Sequence, residues 1–302
     1  MNGNMNGNDI FAGTIAEMTW LEVDRAAKDH AILLWALGVI EQHGPHLPTG
    51  TDVYLPQALL RELRQVLAGR GVVALIVPPY YWGVNVVSGA FPASYRVRPE
   101  LMKELMADVF GSLKTDGFDH VFCFSGHGDA LHNRTIHDGV RLGVQRSGID
   151  ISFVADAALL TRLGLALDDP QVTLQSSGGN GLFGALGSSP SAPNRDGSDA
   201  PPRYIDLHAG QWETSMMMCS CPTLVREDVR RTLRPTDHGP EDLAEWRRGH
   251  DHARQKTPLG YFGDPAAASL EEGRGSLRSA AERAADAIES RLKKARARQP
   301  IQ

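Results

Sequence analysis

Apolar residues along this chain fall into two alternating patterns: short unbroken runs, and longer stretches in which they recur every three or four positions. An unbroken run bounded by turn formers suits a strand buried on both faces, and the 3.6-residue recurrence suits a helix with one face in a core. Residues 31–37, 72–77, 120–124 and 151–155 read as strands, the second closed by Pro78-Pro79. Helices are predicted over 19–28, from Asp52 with Leu55, Leu59, Leu60, Leu63 and Leu67 on one face, and over 99–114 with Leu101, Leu105, Val109 and Leu113 on one face. Further helices follow over 131–146, 157–163 (stopped by Gly164), 210–219 and 270–294, the last presenting Leu277, Ala281, Ala284, Ile288 and Leu292 together. Pro56 is expected in the first turn of its helix, where proline is tolerated. Strands alternating with helices predict an α/β fold, a three-layer, mostly parallel sheet flanked by helices, in a single domain over 10–302. In such a sheet ligands bind beyond the C-terminal ends of the strands. Residues 168–206 break the pattern, and 176–202, rich in Gly, Ser, Pro and Asp, are expected to form a flexible lid or a subunit-contact loop. The Asn/Gly-rich residues 1–9 have nothing to bury and are expected to be a disordered tail.

Composition narrows the classes. The chain has 302 residues, 42% hydrophobic and 22% charged, as a globular protein does. Its net charge of −5 gives no electrostatic case for nucleic acid binding. Three cysteines, Cys123, Cys219 and Cys221, make no disulfide framework, and Cys219-x-Cys221 lacks a second pair for a thiolate site. The N-terminus has neither a basic nor an apolar segment, and the longest apolar run, 31–40, is half of what a membrane span needs. A cytoplasmic protein without membrane contact is the expectation.

The candidate chemistry sits where the first strand ends. Residues 38–52, Gly-Val-Ile-Glu-Gln-His-Gly-Pro-His-Leu-Pro-Thr-Gly-Thr-Asp, place Glu41 and His43 two apart, so an extended chain points both side chains one way. Gly44, Pro45, Pro48 and Gly50 then bend the backbone so that Asp52 can return toward them. A Glu/His/Asp cluster of this kind suits a divalent metal such as zinc or manganese. Asp52 can equally serve as an N-cap of the following helix. Later in the chain His127, Asp129, His208 and Glu213 stand out. Two divalent ions need a bridging carboxylate and further N/O ligands on each side, a set that Asp52, Glu41, His43 and His127 with Glu213 or Asp129 can supply. Trp212 and the Tyr80-Tyr81-Trp82 cluster can floor a substrate pocket or simply pack, and His120, His132 and His137 read as surface or core-edge residues.

Four ordered motifs carry a resemblance. Glu41-Gln42-His43-Gly44-Pro45-His46-Leu47-Pro48 with Thr51-Asp52, Gly126-His127-Gly128, His208-Ala209-Gly210-Gln211-Trp212-Glu213-Thr214-Ser215, and Tyr261-x-Gly263-Asp264-Pro265 together resemble the creatininase (creatinine amidohydrolase) family. The resemblance runs from about residue 13 to 292. It implies an α/β fold with a binuclear site for two divalent ions, Zn and/or Mn, usually in a homohexamer. By position Glu41, His43, Asp52 and His127 match metal ligands, with Asp52 as the bridge. Asp129 or Glu213 completes the set, and His208 matches a histidine with a proton-transfer role.

The activity so implied is hydrolysis of a non-peptide C–N (amide) bond in a small, possibly cyclic substrate by a metal-activated hydroxide. The departures from the family pattern, Ala36, Ser125, Ala130 and Ala93-Ser94, lie where substrate would bind, and His46, Trp212 and Ser125 are the candidate substrate contacts. Relatives with other chemistries keep three alternatives open: a formamide deformylase, a peptidase, or a ring-opening hydrolase. A non-catalytic, metal-stabilised subunit is a fourth.

Overall fold

The computed structural model describes residues 9–176 and 205–298. A helix, α1 (Trp20–Lys28), leads into β1 (Ile32–Leu37), followed by α2 (Thr51–Gly69), β2 (Ala74–Tyr80), α3 (Pro99–Thr115), β3 (His120–Ser125), α4 (Ala130–Ser147), β4 (Asp150–Ala155), α5 (Ala157–Leu163) and β5 (Val172–Leu174). After the undescribed segment come α6 (Gln211–Ser220), the short α7 (Glu227–Arg230), α8 (Pro240–Trp246) and α9 (His250–Lys256), and the long α10 (Leu270–Arg298). The five strands form one sheet in the order β2-β1-β3-β4-β5, every pair parallel. The chain winds outward in one direction from β1 to β2 and in the other from β3 to β5. The crevice between the C-terminal ends of β1 and β3 is therefore the switch point at which such sheets take ligands.

The unbroken apolar run of β1 serves both faces with a period of two. Ile32, Leu34 and Ala36 join the core beneath α2, α6 and α10, while Leu33, Trp35 and Leu37 join the core beneath α1, α3, α4 and α5. The predicted apolar faces of α2 and α10 are the buried ones. The prediction for α3 is off by one residue. Met102, Met106 and Phe110 are buried with Leu113, whereas Leu101 and Leu105 are 51% and 44% exposed. The larger Met/Phe row fills the space against β1, where Phe110 meets Trp35 edge-on at 5.3 Å.

Three further differences have local causes. Strand β2 runs through Pro78-Pro79 instead of stopping at them. It is an edge strand, and its register against β1 slips between Trp35 and Leu37, so two residues oppose one where the prolines stand. Pro56 lies in the second turn of α2 rather than the first, so it has no N–H to offer the carbonyl of Asp52 four residues back. Strand β5 and helices α7 to α9 are too short to leave a readable period and are absent from the elements predicted above. No helix among the described residues is long and apolar enough to cross a membrane. The 176–202 lid or contact segment lies, but for its first residue, outside the described residues, as do residues 1–8 of the tail.

Candidate metal centre

The site forms at the switch point. Residues 39–50 leave β1 and double back, with the N–H of Glu41 donating to the Thr49 carbonyl at 2.9 Å. Gly44, at φ +67°, makes the tight bend that L-residues resist. Its N–H donates to the Gln42 side-chain oxygen at 2.9 Å. Asp52 enters from the first turn of α2. Gly50 is the N-cap there, so the Asp52 carboxylate is not used for capping and faces inward. A Cβ placed on Gly38 or Gly126 would sit 2.1 or 2.2 Å from the Asp52 carbonyl oxygen. The bare Cα atoms at the ends of β1 and β3 thus let α2 dock where its first carboxylate reaches both flanking histidines. His127 is held by Ser125, whose hydroxyl accepts from the His127 N–H (3.2 Å) and donates to the His127 carbonyl (2.9 Å). Glu213 comes from the first turn of α6 and accepts from the Ala209 N–H at 2.6 Å. Ala209 is left-handed (φ 48°), a strained conformation directly beside His208.

These side chains are all buried and converge. His43 Nε2 lies 3.1 Å from Asp52 Oδ1 and 3.7 Å from Glu213 Oε2. His127 Nδ1 lies 2.9 Å from Asp52 Oδ2 and 3.0 Å from Glu41 Oε1. Donor atoms group into three sets, His43/Asp52/Glu213, Glu41/Asp52/His127 and Glu41/His43/His208, each within 4.8 Å. His43 Nδ1–H donates to the Glu41 carbonyl at 3.1 Å, which orients the ring and turns Nε2 toward the carboxylates. Although close, His43 Nε2 and Asp52 Oδ2 have no aligned hydrogen-bond partner. Buried donor atoms that meet without pairing are what a cation satisfies.

The charges point the same way. Burial alone would push the carboxyls of Glu41 and Asp52 up, yet His127 and His208 beside Glu41, and His43 and His127 beside Asp52, hold both below the usual carboxylate range. Burial opposes the charge on His43, but Asp52 and Glu213 raise it to about 10, and Glu41 and Asp52 raise His127 well above an ordinary histidine. Burial lifts Glu213 to about 8. Three buried carboxylates at one point thus require several positive charges or retained protons. Divalent cations on N/O donors meet that need, so the residues fit such ions.

The remaining sequence candidates are placed as follows. Asp129 lies outside the three donor sets: it is the N-cap of α4, and its oxygens accept from backbone N–H groups of α4 and of Val86 and Val87. His46 is fully buried, bonded to Thr214 Oγ1 (2.9 Å) and edge-on to Tyr261, and burial holds it down at about 3. Trp212 packs on the core beneath α2 and α10. His132, expected at the surface or core edge, is instead fully buried 5.3 Å from the His127 ring, with Nε2–H donating to the Leu37 carbonyl. His137 is also buried, paired with Asp169 at 3.0 Å. Both face inward because α4 packs along the sheet on that side.

Sequence reasoning missed four polar residues around the centre. Asn85 and Ser88 both donate to Glu41 Oε2, the former at 3.2 Å. Gln42 bridges by its amide to the Gly260 carbonyl (2.8 Å). Asp206 accepts from the N–H groups of Gln211 (2.6 Å) and Trp212 (3.0 Å) at the start of α6. Position carried the available signal: Asn85 and Ser88 follow β2 at its C-terminal end, where the crevice lies.

Comparison with known proteins gives the family and the fold. The family model described as creatinine amidohydrolase matches residues 16–288. The chain belongs to the creatininase family. Among curated proteins this creatininase-family chain is 26% identical over 248 residues to a mycofactocin precursor peptide peptidase of Mycobacterium ulcerans (strain Agy99), covering 80% of this chain and 78% of the relative. It is 25% identical over 297 residues to a creatinine amidohydrolase of Pseudomonas putida, covering 92% and 96%. A solved structure named as a manganese creatininase superposes with a TM-score of 0.65 at 22% identity, over 92% of this chain and 98% of that one. The chain is therefore a hydrolase with the creatininase fold.

Proposed function

We propose that this protein is a two-ion metal-dependent amidohydrolase that cleaves a non-peptide C–N bond of a small substrate. One observation carries the two-ion reading: the oxygens of Asp52 face different histidines, Oδ1 toward His43 and Oδ2 toward His127. Each histidine has its own second carboxylate, Glu213 with His43 and Glu41 with His127. His43, Asp52 and Glu213 would hold one ion, and Glu41, Asp52 and His127 the other, with Asp52 shared. N/O donors without thiolate suit Zn or Mn. When bound, such a pair makes water acidic at neutral pH and polarises a carbonyl oxygen, the two requirements for opening an unreactive amide.

His208 supplies proton transfer in this reading. Its Nε2–H donates to the Gln42 carbonyl at 2.9 Å. The Gln42 amide donates one N–H to the Gly260 carbonyl, and its nitrogen also lies 3.0 Å from His208 Nε2, which accepts from it in the other tautomer. In the tautomer with Nε2–H on the Gln42 carbonyl, Nδ1 carries the lone pair and faces Glu41 Oε1 at 3.8 Å. Burial is the largest effect lowering His208 to about 4, so the ring is neutral near pH 7. A proton accepted at Nδ1 can then be delivered to the leaving nitrogen. The burial of every donor favours a small substrate over a bulky one.

The peptidase name of one relative favours a second reading, cleavage of a peptide by the same residues. Cyclic amides, formamides and short peptides assayed side by side separate the two. Hydrolysis of the small amides, lost on chelation and restored by Zn or Mn, is expected. Activity unaffected by complete metal removal would sink the mechanism, and turnover of peptides alone would replace the substrate class. The homo-oligomer implied by family is part of this reading, checked by light scattering in solution.

A further inference from the structure

We infer that Asp129 is a positioning residue: it anchors the turn at residues 85–88, which in turn fixes the outer oxygen of Glu41. The inference rests on the two-ion reading above and concerns how the chain holds one of its ligands. A carboxylate has about four lone-pair sites, and the buried carboxylate of Asp129 has four backbone donors. Oδ1 accepts from the N–H groups of Leu131 (2.8 Å) and His132 (3.4 Å), and Oδ2 accepts from those of Val86 (2.9 Å) and Val87 (3.3 Å). None of its oxygens is left for an ion. What the carboxylate does is pin one turn to the start of α4, two residues from His127.

That turn carries the residues that orient Glu41. Ser88 Oγ donates to Glu41 Oε2, and Asn85 Nδ2 donates to the same oxygen at 3.2 Å and to Ser88 Oγ at 2.8 Å. The Asn85 side-chain oxygen accepts from the Ser88 N–H at 3.3 Å, closing the turn on itself. From the opposite side the His250 N–H donates to the Val87 carbonyl at 3.0 Å. With Oε2 so occupied, only Oε1 of Glu41 is presented to His127 and His208. The chain is therefore continuous: Asp129 holds Val86 and Val87, their neighbours Asn85 and Ser88 hold Oε2, and Oε1 is aimed at the centre. Partners of this kind around a ligating carboxylate are worth roughly 10–100-fold in metal affinity.

Asp129→Asn is the decisive variant. Its oxygen can still cap α4, since Asn caps as well as Asp, but an amide nitrogen facing the Val86 and Val87 N–H groups cannot accept from them. The full chain, stripped of metal, is titrated with zinc against a chelating dye, and its zinc content at saturation is measured by elemental analysis. D129N is expected to saturate with as many ions as the unsubstituted chain while binding one of them roughly 10–100-fold more weakly. Ser88→Ala is expected to do the same, and D129N/S88A to lose no more than the worse single variant, because the two act in series. D129N saturating one ion short would make Asp129 a ligand and overturn the inference. So would unchanged affinity in D129N, or losses that multiply in the double variant. Should D129N lack the native circular dichroism, S88A and Asn85→Ala still decide, and unchanged affinity in both overturns it. An unsubstituted chain that binds no divalent ion overturns the two-ion reading and this inference together, whereas a D129N-specific ion deficit overturns the inference alone.

Discussion

Gly126→Ala adds one carbon where α2 meets the ends of β1 and β3. The new Cβ would stand 2.2 Å from the Asp52 carbonyl oxygen and 2.8 Å from Pro56 Cγ. Neither is the end of a flexible side chain, so the strain cannot be relieved by a rotamer change. Reaching even 3.0 Å from the oxygen requires a movement of about 0.8 Å, and the group that must move is the first turn of α2. Overpacking of this kind costs about 1–3 kcal/mol, which in a chain of this size lowers the melting temperature by roughly 2–6 °C. The functional loss is larger, because Asp52 rides on that turn and touches His43 at 3.1 Å and His127 at 2.9 Å. A displacement near 1 Å at a reacting centre costs about 10²-fold. Gly38→Ala, with its Cβ 2.1 Å from the same oxygen, is expected to match it. Thermal unfolding with and without added zinc, together with zinc affinity, reads both effects. A G126A protein that melts within 1 °C of the unsubstituted chain and binds zinc equally well would refute the docking argument.

Metal removal should lower stability, and restoring an ion at a hundred times its dissociation constant should return about 2.7 kcal/mol, visible as a rise in melting temperature; no shift on add-back would count against a built site. Glu213→Gln is expected to weaken one ion about tenfold or more and leave the other nearly unchanged, resolved as two phases in a zinc titration. Equal loss of both ions would contradict its place beside His43 alone. His208→Ala is expected to keep its metal content and lose roughly 10²–10⁴ in kcat; unchanged kcat would remove His208 from proton transfer. Away from the site, burial opposes ionisation of Asp150 but His120 and Arg291 outweigh it, holding its carboxyl down at about 2 from 3.8. A depressed carboxyl stabilises the fold above pH 3.8 and loses that contribution as pH falls through 2. Because the Asp150 side chain is 33% exposed, the contribution is about 1 kcal/mol. Arg291→Met should therefore shrink the loss of stability between pH 4 and 2, and an unchanged acid profile would refute the pairing.

The parts of the fold written as long periodic patterns were legible in the sequence. The continuous run of β1 announced a strand buried on both faces, and the leucine face of α2 and the alanine-rich face of α10 pack as their spacing requires. On α3 two apolar rows one residue apart competed, and spacing alone could not tell Leu101/Leu105 from Met102/Met106. Only the room against Trp35 decides between them. The three-residue β5 carries too few side chains to show a period. At the site, Glu41, His43 and Asp52 were readable as a cluster because they are close in sequence. The meeting of His43 with Glu213, 170 positions later, is a property of the sheet order and of α6 docking. The capping role open to Asp52 is filled at Asp129, since α4 begins at Ala130 whereas α2 begins a residue before Asp52. Asn85 and Ser88 act through a carboxylate they adjoin only in three dimensions, and no local pattern marks them.

The proline pair in β2 also bears on how copies of this chain can associate. Successive residues of a strand turn their N–H groups to opposite sides, so of two adjacent prolines one lacks its donor toward β1 and the other lacks it toward the open edge. The register slip against β1 absorbs the first loss. The second leaves a gap toward the C-terminal end of the side of β2 that faces away from β1, where an incoming strand would need a donor. Growth of the sheet from one molecule into the next, the route by which edge strands seed fibrils, is thereby interrupted at its template. Sheet-to-sheet pairing of two copies through β2 is thereby disfavoured.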